Sequence, residues 1–129
     1  MAVYQDLSPY EYSPTVVEMV NVGWLGRDSV YPTGVVDARV QVELLKRAAD
    51  PANVMRGFHY CEFCDEDSPI RIPAKVGIHE RVSLGTGEIR VAGDDGVIYA
   101  APTLIVHYIE KHGYRPPEAF IVALIGAAD

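Results

Sequence analysis

The stretch that most limits what this chain can fold into is Cys61-Glu62-Phe63-Cys64, which gathers both cysteines of the sequence into one short segment. Thiolates separated by two residues can reach a single ion from one tight turn, which is why the spacing recurs in tetrahedral zinc sites. His59 lies two residues before Cys61, and on an extended strand entering the turn the two side chains point to the same side. His59, Cys61 and Cys64 therefore form a half-site, and the fourth ligand has to come from a distant histidine: His79, His107 or His112. There is no second Cys-x-x-Cys to complete it. A redox pair needs a thiolate stabilised by a helix N-terminus or a cation, whereas Glu62, Asp65, Glu66 and Asp67 crowd these thiols with negative charge. The same carboxylates suit a bound cation. The plain alternative is a pair of buried thiols beside a hydrogen-bonded histidine.

At 129 residues, 49% of them hydrophobic, the chain can bury a core as one domain without needing a metal to fold. Its start has neither a basic segment nor an apolar core, and no apolar run approaches a bilayer span, so the expectation is a cytoplasmic protein with no membrane partner. Paired cysteines too close for an easy structural disulfide agree with a reducing compartment. The net charge of −7, from 18 acidic and 11 basic residues, argues against nucleic acid as a partner. It would speed encounter with a basic protein.

Residues 1–14 carry Tyr4, Leu7, Tyr10 and Tyr12 around Ser8-Pro9 and Ser13-Pro14, a pattern for an extended N-terminal arm pinned over the core by its tyrosines. The β-branched run after Thr15 predicts a strand ending near Gly26, with Trp24 in the core. Across 35–50, Val36, Val40, Leu44 and Ala48 share one helical face, with Thr33 or Asp37 as cap and Asp50-Pro51 as stop. Strands are expected at 75–78 and 81–84. A hairpin pairs 88–91 with 97–100 across Ala92-Gly93-Asp94-Asp95-Gly96, whose Asp and Gly residues supply positive-φ positions. Gly85-Thr86-Gly87 lacks the lysine of a phosphate loop and precedes a strand, so it reads as a flexible turn.

Ala101-Pro102 is placed to open a helix with Leu104, Ile105, Tyr108 and Ile109 inward and Gly113 as its stop. His107 lies at the edge of that stripe. A histidine projected from a helix toward a Cys-x-x-Cys turn commonly closes a zinc site, so His107 is taken as the fourth ligand, with His112 in reserve. The final helix, 118–125, is apolar on every side, which predicts burial all round, either in the core or as half of a homodimer contact.

Several of these segments together resemble a family of small bacterial proteins known as a domain of unknown function. The residues that carry the likeness are Asp6-Leu7-Ser8-Pro9-Tyr10, Asn21-Val22-Gly23-Trp24-Leu25, Arg56-Gly57-Phe58-His59 with Cys61-Glu62-Phe63-Cys64, and Glu88-Ile89-Arg90-Val91. To these add Tyr99-Ala100-Ala101-Pro102, His107-Tyr108-Ile109 and Pro116-Pro117. The resemblance implies that both cysteines and the histidine-bearing helix belong to one domain. It brings no activity, substrate or catalytic residue with it.

The resulting expectation is an α+β fold spanning 1–129 as a single domain, with a small, mainly antiparallel sheet, about three helices and a Cys-x-x-Cys knuckle. One zinc ion per chain is expected on His59, Cys61, Cys64 and His107, serving as structural metal in a protein-interaction module. The competing expectation is a small zinc hydrolase with an open metal position and Glu62 or Glu110 as general base. Neither a His-Glu-x-x-His segment nor the Pro-Cys-x-x-Cys of a nucleobase deaminase is present to support it.

Overall fold

Where apolar residues recur decides where the elements fall. The computed structural model of the chain describes residues 3–10, 19–52, 60–64, 70–76, 79–93 and 96–126, apart from the side chains of 74–76 and 79. Among the described residues the order is β1 (Met19–Asn21), α1 (Ala38–Ala48), β2 (Ile70–Val76), β3 (His79–Leu84), β4 (Glu88–Ala92), β5 (Ile98–Pro102), α2 (Ile105–His112) and α3 (Glu118–Gly126). The fold is α+β, but its strands form two small sheets rather than one. β1, β5 and β4 make a mixed sheet in the order β1-β5-β4, and β2 pairs with β3 in a hairpin.

The β4–β5 hairpin is antiparallel, with Val91 opposite Tyr99 and Ile89 opposite Ala101. Alternation along it sorts two faces. Ile89, Val91, Tyr99 and Ala101 enter the main core, whereas Ala100 and the half-buried Ile98 join Tyr10 and Met19 in a second, smaller cluster. The arm covers that second face: Tyr10 N–H donates to Met19 O (2.9 Å), Asn21 N–H to Ser8 O (2.8 Å), and Tyr4 N–H to Trp24 O (3.0 Å). Glu88 and Arg90 alternate onto the same face, where Tyr10 Oη donates to Glu88 Oε2 at 2.8 Å and Arg90 Nη2 meets Glu88 Oε1 at 3.0 Å.

Several sequence boundaries move. Among the described residues the first strand is Met19–Asn21, pairing in parallel with Ile98, Tyr99 and Ala100; its expected start after Thr15 lies outside them, and beyond Asn21 the chain to Gly26 is irregular but buried. Trp24 is in the core, and its indole N–H donates to Ala100 O at 2.9 Å. The first helix begins at Ala38 because Asp37 accepts from Arg39 N–H and so caps it. Val40, Leu44 and Ala48 point inward from it against α2, α3 and both hairpins. Pro102 does not open a helix; it ends β5 opposite Glu88. The helix starts later because Thr103 is engaged elsewhere: its Oγ1 accepts from Gly85 N–H (2.9 Å) and donates to Thr86 O (3.1 Å), tying down the Gly85-Thr86-Gly87 turn.

In the β2–β3 hairpin the register slips between Pro73 and Val76, where proline has no N–H to give the ladder. The last helix is not buried all round. Phe120 and Leu124 pack inward, Phe120 edge-on to Tyr99 at 6.0 Å, while Val122 is 58% exposed. No helix among the described residues is long and apolar enough to cross a membrane.

Candidate metal centre

Helix α2 supplies half of the site. Ile105, Val106 and Tyr108 are buried, and Gly113 closes the helix in the left-handed conformation (φ 67°) that glycine adopts without a Cβ penalty. Tyr114 N–H folds back onto Tyr108 O at 3.1 Å, and Tyr31 Oη donates to His112 O at 3.1 Å, so the helix end is fixed from both sides. His107 is buried and His112, the last helical residue, is half-buried.

The Cys61–Cys64 turn supplies the other half. Cys61 Sγ lies 3.3 Å from His112 Nε2, Cys64 Sγ lies 3.4 Å from His107 Nε2, and the two Nε2 atoms are 3.2 Å apart. All four donor atoms fall within 4.8 Å of one another. For a tetrahedral ion with bonds of about 2.3 Å to sulfur and about 2.0 Å to nitrogen, adjacent donors sit about 3.3–3.8 Å apart. The separations of 3.2, 3.3 and 3.4 Å match that geometry, the widest, within 4.8 Å, is looser, and the cluster can hold a metal. The same donor set also occurs around paired irons, but there thiolates and imidazoles bind different irons. Sulfur-to-nitrogen approaches of 3.3 and 3.4 Å fit a single ion.

The surroundings favour a cation. Phe63 N–H donates to Cys61 Sγ at 3.4 Å, a contact that stabilises sulfur bearing negative charge. Phe63 itself stands against His112 (ring centroids 5.3 Å), Tyr31 (5.4 Å) and Tyr108 (5.8 Å), a wall of rings that sets the imidazole in place. Burial, helped by the neighbouring Cys64, pushes the Cys61 thiol up to about 11, opposite to what a redox thiolate needs. Burial also raises the Tyr108 phenol, with Cys61, Glu62 and Cys64 adding to the effect. Negative charge here is costly until a cation joins it.

Of the residues expected as ligands, Cys61, Cys64 and His107 are brought together, and His112, held in reserve, joins them rather than replacing His107. His59 lies outside the described residues, and so does the side chain of His79. The sequence did carry a signal for the joint use of both helix histidines. His107-x4-His112 falls within the His-x3–5-His spacing of Cys2His2 zinc sites, though the stretch from Cys64 to His107 far exceeds the about 12–15 residues of a zinc finger.

A family model described as a domain of unknown function (DUF7919) matches residues 2–125. No curated protein and no solved structure matches the chain.

Proposed function

The chain belongs to that family of unknown function, and we propose that it is a zinc protein whose single ion is structural, held by Cys61, Cys64, His107 and His112. The observation that carries this is the convergence of two thiols and two Nε2 atoms within 4.8 Å, from segments more than forty residues apart in sequence. Tetrahedral S2N2 donors of this kind favour zinc over the harder divalent ions. Four protein ligands leave no position for a reactive water, so the reading is non-enzymatic: the ion ties the Cys61–Cys64 turn to α2 and fixes a surface for a protein partner. The net charge of −7 supports a basic partner.

Elemental analysis of the purified, untagged chain tests the ligand set. About one zinc per chain is expected, lost in Cys64→Ser, His107→Ala and His112→Ala but kept in His59→Ala. Loss in His59→Ala with retention in His112→Ala would transfer the fourth position to His59. Metal-free protein, with both thiols titrating freely in the folded state, would overturn the zinc reading altogether.

A further inference from the structure

Helix α3 is apolar at every position from Ala119 to Ile125, yet it lies at the surface. Phe120 and Leu124 satisfy its inward stripe; Ala119 and Val122 are exposed, and Ile121 and Ile125 are half-buried. Beside it Val35 is 94% exposed. Val35, Ile121, Val122 and Ile125 line a groove of about 420 Å³ whose rim carries Asp37, Arg39, Arg115 and Glu118. Scattered surface valines need no explanation, but a helix with no polar face does.

We propose that this groove is the contact between two copies of the chain. The charges select that occupant. Each copy carries −7 overall, so two copies repel each other at long range. The rim adds no net charge to that repulsion: it carries two acids and two bases already paired within the chain, Arg39 to Asp37 at 3.0 Å and Arg115 to Glu118 at 2.7 Å. A two-fold contact sets a patch against itself and so requires self-complementarity, which a neutral rim of mixed sign around an apolar floor provides. A basic partner would gain nothing from a rim of zero net charge. The inference stands apart from the metal, since none of Cys61, Cys64, His107 and His112 lines the groove.

Sedimentation equilibrium of the full metal-loaded chain, from micromolar to millimolar and at low and high salt, tests it. The expected result is a dimer that tightens as salt screens the mutual repulsion. Its dissociation constant should rise at least about tenfold in both Val122→Glu and Val35→Glu. Both side chains face solvent, so circular dichroism should show the variants folded; should Val122→Glu unfold, Val35→Glu decides alone. A monomer at millimolar concentration, a dimer that withstands both variants, or one that loosens with salt would each overturn the proposal.

Discussion

Arg90 and Arg39 each meet a carboxylate at 3.0 Å, but the environments differ. Asp37 is half exposed and Arg39 more so, and water screens pairs of that kind so that they contribute little. Glu88 is 2% exposed, and removing a partner strands its charge beneath the arm. Breaking a fully buried pair costs about 3–5 kcal/mol; Arg90, 35% exposed, leaves room for some water, and Tyr10 still donates to Glu88. Arg90→Ala should therefore lower stability by about 2–3 kcal/mol, and Arg39→Ala, whose partner is solvated, by far less. Urea midpoints at constant m-value would measure the contrast. Equal losses would mean that the arm does not seal the second face of the sheet. Neither outcome was legible in the sequence, where both arginines stand two residues from an acid and look alike.

At the scale of elements, α2 is held in position by what its first residue touches. Gly23 has φ 78°, and a Cβ there would come within 2.9 Å of Ile105 Cδ1, the opening residue of the helix that bears both histidines. Gly23→Ala combines left-handed strain with overpacking, at a cost of about 2–4 kcal/mol. The corresponding fall in Tm is roughly 6–15 °C. Because the clash pushes on α2, zinc affinity should fall too, whereas Gly113→Ala, with open space around its Cβ, should show only the strain of its left-handed φ. Thermal melts with parallel zinc titrations would distinguish them, and unchanged zinc affinity in Gly23→Ala would show that the helix absorbs the shift. α1, the β4–β5 hairpin and the glycine stop of α2 were readable because each rests on local periodicity or turn chemistry. The parallel pairing of β1 with β5 was not, since nothing local in Met19 or Ile98 names a partner so far along the chain. The start of α2 was misplaced because Thr103 spends its hydroxyl on the Gly85 turn, a contact invisible from sequence. His112 was held only in reserve because His59, Cys61 and Cys64 had filled three positions and left one for a distant histidine; at i and i+5, His107 and His112 also lie on different faces of an ideal helix. Imidazole arms at a helix end still converge, as their 3.2 Å Nε2 separation shows.

For the molecule as a whole, metal and protons compete for the same four donors. In the metal-free chain the Cys61 thiol is raised from 9.0 to about 11, so between those values the folded state holds more protons than the unfolded one. That contribution is fully present below the unfolded value and is lost as pH rises through the folded one. Zinc binding requires both thiols as thiolates and both imidazoles neutral. Near pH 7–8 the two thiols should give up two protons per zinc bound, making the stabilisation by zinc grow by about 2.7 kcal/mol per pH unit. The stability difference between zinc-loaded and chelator-treated protein should therefore shrink steeply in acid and widen toward alkali, even as the metal-free form weakens above pH 9. The subtraction matters because buried Tyr114, raised by burial and by Asp6 away from the metal cluster, destabilises either form at high pH and cancels in the difference. Denaturation midpoints at fixed free zinc would give the slope directly. A value near one proton would mean that only one thiolate binds the metal, and a flat difference would remove both cysteines from the site.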